Sequence, residues 1–313
     1  MNKPLRIATR RSTLAMWQAE HVAALLRKAH PNLRVDLVPM STHGDRVQDR
    51  ALAEVGGKGL FVKELEIAMS GGEADVAVHS MKDVPSELPP GFCIASVLPR
   101  ANPLDAFISL RYAAFEDLPL GAKVGTSSPR RQAQLRNTRP DLRTELLRGN
   151  VETRLRRLEE GRFDAILLAC AGLERLGLGE RITQMLRPEL SLPAVGQGII
   201  GIECREDDQE IRLALRALND EETLSCLAAE RAFARILGGS CHSPIAAHAS
   251  LTTSGLELRG FIGSPDGTEA FRDRIAGPAD QAIALGETLA RRMKDAGAET
   301  LLEQLRQEAV ASP

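Results

Sequence analysis

Over residues 5–218, short apolar runs alternate with stretches of helical periodicity. The runs that predict strands are Leu5–Thr9, Leu33–Met40, Asp75–His79, Asp105–Ser109, Lys123–Gly125, Glu145–Leu147, Asp164–Ala169 and Ile199–Cys204. Helical spacing covers Thr13–Ala29, Phe61–Ser70, Pro129–Asn137, Val151–Glu160 and Asp208–Leu218. Strands alternating with helices read as an α/β fold with largely parallel sheets. From Glu221 the pattern changes: a long helix, Glu221–Leu237, leads into a Gly-Gly-Ser-Cys loop. Strand-like runs follow at Pro244–Ala249, Leu256–Phe261 and Ala270–Ile275, then helices. This last block reads as a separate α+β domain. Two proline- and glycine-rich segments, Leu98–Leu104 and Leu192–Gly198, sit between periodic blocks as connections between lobes. No internal repeat is visible.

Composition narrows the class. An apolar fraction of 43% over 313 residues supplies more than one core, and only 3% aromatics makes those cores aliphatic. A net charge of −2 gives no global pull toward nucleic acid or acidic membranes. The first residues lack the apolar centre of a signal peptide, and the longest apolar run, Ala165–Gly172, is far short of a membrane span. The expected location is the cytosol. Cys93, Cys170, Cys204, Cys226 and Cys241 are odd in number and not closely paired, against a disulfide framework or a Cys-x-x-Cys centre.

Only seven of the 40 basic residues are lysine. A GC-rich genome that replaces surface lysine by arginine would give this bias. So would a need for planar cationic forks that grip carboxylate or phosphate. Position favours the second. Arg10 and Arg11 follow the first strand, Arg130 and Arg131 open a helix after Thr126-Ser127-Ser128-Pro129, and Arg148 and Arg154 flank the start of another. Ser12 and Ser128 stand as N-caps, with Pro129 at the first helical position. A cation at a helix N-terminus opposes the macrodipole by roughly 0.3–1 kcal/mol, so repeated placements there imply a bound anion. The ends of parallel strands are also where α/β sheets bind ligands.

Gly56-Gly57-Lys58-Gly59 lacks the hydroxyl residue of a phosphate loop, and Gly196–Gly201 precedes a strand where a dinucleotide fingerprint would follow one. Loop and hinge are the better readings. His79-Ser80-Met81-Lys82-Asp83 closes a strand with a base, a hydroxyl and an acid. It reads either as polar capping or as a carboxylate held at the ligand edge of the sheet. Cys241 lies in a small-residue loop beside His242, where a thiol can be nucleophilic. The other four cysteines lie in apolar or helical runs and read as packing thiols.

Together these features resemble the hydroxymethylbilane synthase (porphobilinogen deaminase) family. The resemblance rests on Val55-Gly-Gly-Lys-Gly-Leu-Phe-Val-Lys-Glu-Leu65, Val78-His-Ser-Met-Lys-Asp-Val-Pro85, Gly125-Thr-Ser-Ser-Pro-Arg-Arg131, Leu147-Arg-Gly-Asn150, Leu192-Pro-Ala-Val-Gly-Gln-Gly198, and Glu230-Arg231 followed by Leu237-Gly-Gly-Ser-Cys-His-Ser-Pro244. It spans nearly the whole chain in order. It implies two periplasmic-binding-protein-like α/β domains, residues 1–99 with 199–219 and residues 104–193, plus a smaller α+β domain over 221–313. It implies a transferase that condenses four porphobilinogens head to tail, with loss of ammonia, onto a covalent dipyrromethane, and frees the product by hydrolysis. The dipyrromethane would be joined by thioether to Cys241 and held by Lys82, Thr126, Ser128, Arg130, Arg131, Arg148 and Gly149. Arg10, Ser12, Gln18, Arg154 and Arg175 would bind substrate, and Asp83 would be the catalytic carboxylate. A monomer with no metal, nucleic-acid or membrane partner is implied.

The implied chemistry explains the residue types. Each porphobilinogen carries two carboxylates, so the growing chain needs many fixed cations. Loss of ammonia leaves an azafulvenium cation, which a nearby carboxylate stabilises. Glu54 stands where some members have a basic residue, Ser240 where glycine is common, and Ser243 where a small apolar residue is usual. None removes a group from that chemistry. A solute-binding protein for a small anion is the alternative from the two-lobed pattern. An arginine-dependent nucleic-acid binder is opposed by balanced charge and few aromatics.

Overall fold

The computed structural model describes residues 3–42, 62–238 and 243–311. Gly56–Gly59, Glu54, Ser240, Cys241 and His242 lie outside these residues. The first sheet is built from β1 (Leu5–Arg10), β2 (Val35–Met40), β3 (Val76–Ser80), β4 (Phe92–Val97) and a strand from much later in the chain. Helices α1 (Thr13–Ala29) and α2 (Lys63–Ser70) cover it. The second sheet takes β5 (Asp105–Ile108), β6 (Lys123–Gly125), β7 (Arg143–Glu145), β8 (Ala165–Ala169) and β9 (Gln184–Leu186). Between these strands run α3 (Pro129–Thr138), α4 (Val151–Glu159) and α5 (Cys170–Arg175). The chain then returns with β10 (Ile200–Arg205) and α6 (Gln209–Leu215) to the first sheet.

The sheets share one plan. Their orders are β2-β1-β3-β10-β4 and β7-β6-β8-β5-β9. In each, the fourth strand runs antiparallel to both neighbours, and the first three are parallel. The reason for the strong apolar runs is burial on both faces. On β1, Leu5 and Ile7 pack with Val22, Leu26 and Ile202 on one side, while Ala8 packs with Leu65 and Met69 on the other. Helix starts are capped as the sequence predicts: Ser12 Oγ accepts from Ala15 N, and Ser128 Oγ from Arg131 N. Asn150 Oδ1 caps α4 at 2.8 Å from Thr153 N.

Residues beyond 220 form the α+β unit: α7 (Glu221–Ile236), an antiparallel β11 (Ile245–Thr252), β12 (Gly255–Gly263) and β13 (Ala270–Gly277), then α8 (Ala282–Met293) and α9 (Glu299–Ala311). Its core, with Phe233, Leu258, Ile262 and Leu289, is separate from those of the two sheets.

Leu98–Leu104 and Leu192–Gly198 are the two crossings between sheets. Ala101 N donates to Gly198 O at 3.1 Å. Gly198 has φ +86°, and a Cβ there would lie 2.5 Å from Ala101 O. The glycine is therefore needed for close backbone approach, which accounts for the Gly-x-Gly pattern without a nucleotide. The buried Glu230 of α7 ties both crossings to the last unit. Its Oε2 accepts from Gly196 N at 2.7 Å, and its Oε1 accepts from Arg100 Nη2 at 2.8 Å and Ala249 N at 2.7 Å. A buried carboxylate is tolerated only when so satisfied.

Candidate active site

A cavity of about 1030 Å³ opens where the two sheets and α7 meet. Most of the wall is supplied by residues at or just beyond strand ends. Arg10 and Ser12 come from the β1–α1 junction, and Lys82 and Asp83 from the turn after β3. Ser128, Arg130 and Arg131 come from the start of α3. Arg148, Gly149 and Arg154 come from the start of α4, and Arg175 from the end of α5. Gly149 has φ +105°, the left-handed region that favours glycine, and a Cβ there would meet Thr153 at 2.8 Å. Arg231 of α7, absent from the sequence-derived site, closes the cavity and donates to Ser86 O at 3.0 Å.

Two expected residues do not reach this wall. Thr126 is buried, and its Oγ1 accepts from Ser128 N at 3.2 Å. It shapes the turn that presents Ser128. Gln18 is buried on α1 and donates through Nε2 to Ser80 Oγ at 2.8 Å, lining a smaller side cavity beside Asp83.

The structure corrects the helix-terminus argument for Arg130 and Arg131. Their anion is internal: the fully buried Asp105 at the head of β5. Arg130 Nη1 lies 2.8 Å from Oδ2, and Arg131 Nη2 2.7 Å from Oδ1. Ser191 Oγ and Gln197 Nε2 complete the carboxylate at 2.6 and 2.9 Å. Burial alone would raise Asp105, but Arg130 and Arg131 outweigh it and hold the carboxyl far below its usual range. Two guanidiniums on one carboxylate still leave net positive charge at the wall.

The other cations stand in low dielectric. Burial lowers Arg154 to about 10, with repulsion from Arg131 adding to it, and burial lowers Arg175 to about 10. Arg154 Nε donates to Gly149 O at 2.8 Å, and Arg175 Nη2 to Gly198 O at 2.7 Å, so both are aimed by backbone. Lys82 falls to about 8 through burial, against the opposing pull of Asp83. Desolvation on this scale is relieved by an incoming anion.

This gives a pH test on protein prepared free of bound anion. The native state releases the Lys82 proton near pH 8, whereas an ordinary lysine holds it to 10.5. Between these values the unfolded chain binds the extra proton, so this group adds stability as pH rises. The stability difference between wild type and Lys82→Gln, read from urea midpoints, should move in favour of wild type across that window. A difference that stays flat would mean that Lys82 is not desolvated.

A two-sheet α/β cleft walled by fixed cations, with the Asp83 carboxylate beside them, defines a protein that grips a multiply charged anion and can act on it. Comparisons narrow this class. Residues 5–213 match the porphobilinogen deaminase, dipyromethane cofactor binding domain, and residues 224–295 match the porphobilinogen deaminase C-terminal domain. The chain belongs to the porphobilinogen deaminase family. Porphobilinogen deaminase of Thiobacillus denitrificans is 54% identical over 301 residues, covering 96% of this chain and 98% of the relative. That of Chromobacterium violaceum is 53% identical over 296 residues, covering 95% and 96%. A nutrient binding protein from Burkholderia cenocepacia bound to methionine is 14% identical, with a TM-score of 0.44 over 70% of this chain and 93% of that one. No described helix is long and apolar enough to cross a membrane.

Proposed function

We propose that this chain condenses porphobilinogen head to tail, with loss of ammonia, onto a dipyrromethane held in the cleft, and releases hydroxymethylbilane. The observation that carries the residue assignment is the convergence of Lys82, Arg131, Arg148, Arg154 and Arg175 on a cavity that also presents Asp83. Such a wall fits a polyanionic group: each pyrrole ring brings an acetate and a propionate. Lys82, Ser128, Arg131, Arg148 and the backbone at Gly149 hold the dipyrromethane carboxylates. Arg130 and Thr126 support them through Asp105 and Ser128. Arg10, Ser12, Arg154 and Arg175 bind the carboxylates of incoming substrate, and Gln18 sets Ser80 beside Asp83. When bound, the dipyrromethane supplies the ring carbon to which the first substrate is joined.

Asp83 carries the chemistry. It balances the positive charge left on a ring when ammonia departs, and it accepts the proton that the attacking ring carbon sheds. Both roles need an ionised carboxylate in a cleft where water does not screen it. A water molecule attacking the same cationic carbon ends the chain. The reading includes a cytosolic monomer that needs no metal, nucleic acid or membrane.

Cys241 is the proposed anchor, through a thioether. Burial pushes Cys170 and Cys204 up to about 12 and raises Cys226, which makes these thiols poor nucleophiles. Intact mass of purified protein tests the assignment. The wild type should carry an adduct of two pyrrole units, mapped to the Cys241 peptide. Cys241→Ser should lack it, while serine at Cys93, Cys170, Cys204 or Cys226 should leave it in place. Bare wild-type polypeptide that makes no product from porphobilinogen would return the chain to the solute-binding reading.

A further inference from the structure

His79 and Glu203 form a buried pair behind Asp83 that neither the sequence nor the proposed mechanism uses. Glu203, on β10, is completely buried, and its Oε2 lies 2.7 Å from His79 Nε2. The residues face one another diagonally across the antiparallel β3–β10 ladder, where Gly201 pairs directly with His79. A carboxylate can only accept, so Nε2 is the donor and Nδ1 is the ring atom left to meet a proton. Glu203 Oε1 is buried with no hydrogen-bond partner among the described residues. A completely buried carboxylate aimed at an imidazole is costly unless the imidazole can carry the balancing charge.

His79, of the two, borders a space that adjoins the cleft. A side cavity of about 60 Å³ is lined by His79, Ser80, Gln18 and Ser12, and Asp83 lines both this cavity and the main one. A water needs about 10–15 Å³ of such space and a few polar partners, so the side cavity has room for a short water chain. Asp83, Ser12, Gln18, Ser80 and His79 all line it, so polar groups stand at both ends of the path. We propose that the His79–Glu203 pair receives, through water in this side cavity, the proton that Asp83 takes from each ring. The inference rests on the role given to Asp83 above.

The step balances. The attacking ring carbon forms its bond to the incoming methylene. Its C–H bond then breaks, and that electron pair restores the pyrrole. The proton goes to the Asp83 carboxylate, on through water to His79 Nδ1, and Glu203 offsets the imidazolium. His79 returns it through the same water to the cleft, and Asp83 is ionised again for the next ring. The charged groups around the pair are Arg10 at the cleft, Glu66 and Lys63 on α2, and Arg231 on α7. Glu66 at the cleft wall is pushed up to about 7 by burial, with repulsion from Glu203 adding to it, as expected beside a buried negative charge.

His79 is a positioning residue under this proposal, so the test reads proton transfer as well as rate. His79→Gln and Glu203→Gln are prepared with their cofactor loading checked by intact mass and their fold by circular dichroism. Each is assayed with porphobilinogen carrying hydrogen or deuterium at its ring α-carbon. In His79→Gln, kcat should fall by about a hundredfold with KM little changed. Deuteration should slow the variant more than the wild type, because proton removal becomes limiting. Glu203→Gln keeps the hydrogen bond without the charge, and should show the same isotope sensitivity with a smaller loss. It decides the matter if His79→Gln does not fold. A rate loss that ignores deuterium, or no loss at all, overturns the relay. Asp83→Asn in parallel separates the layers: an active Asp83→Asn defeats the underlying mechanism, and an inactive one with isotope-insensitive pair variants defeats only the relay.

Discussion

Asp83→Asn should fold like the wild type and lose turnover by about a hundredfold to a thousandfold, or about 2.7–4 kcal/mol of transition-state stabilisation. Asp83 sits in the short turn Met81–Asp83 that ends β3, at the edge of the cavity where the cations converge. An amide of equal size keeps the shape but neither balances a cationic ring nor takes its proton. Asp83→Glu keeps the charge and displaces it by one methylene, so it should retain partial activity and accumulate enzyme-bound intermediates. Steady-state product formation beside circular dichroism decides. A folded Asn variant with near-normal turnover would remove Asp83 from the chemistry.

Asp105→Ala should destabilise the protein by about 3–5 kcal/mol, since it strands two buried guanidiniums without their counter-charge. The loss reaches beyond the ion pairs. Asp105 also accepts from Ser191 Oγ and Gln197 Nε2, while Arg130 Nη1 donates to Leu192 O at 2.6 Å. The carboxylate thus fastens α3 to the second crossing. Its pKa is depressed, so its contribution is complete above the unfolded carboxyl value of 3.8 and is lost only as pH falls through the far lower native value. Urea midpoints at neutral pH measure the effect. A variant as stable as wild type would mean that Arg130 and Arg131 find another anion, and would weaken the case that the wall they form is fixed.

Much of the frame was legible. Helix α1 and strand β6 fall on the predicted residues, because clear caps and sharp changes of pattern bound them. Strand β7 lies at Arg143–Glu145, two residues before the expected run. Leu147 drew the expectation toward itself, and it is buried, but in a loop that makes no ladder. Strand β4 was missed between proline-rich flanks, and β9 has only three residues with little apolar pattern. The site residues were legible where motifs carried them. Asp105 was read only as the start of a strand, since its partners lie 25 and 26 residues away. A charge opening an otherwise wholly apolar buried run, Asp105-Ala-Phe-Ile, was the available signal. Glu203 carried the same signal inside Ile200–Arg205, yet its pairing with His79 spans 124 residues and no local pattern encodes it.

The interleaving of the two sheets has a consequence for synthesis. All five strands of the second sheet lie between Asp105 and Leu186, without interruption. The first sheet begins earlier but needs β10 between β3 and β4, which have no direct pairing of their own. On the ribosome, the half that starts first is therefore finished last. Until Ile200–Arg205 emerges, β3 and β4 each present an open edge, the feature most prone to pairing with another chain. The nascent protein has its greatest need of protection while β1–β4 wait, and the second sheet, already complete, can serve as the folded platform onto which they close.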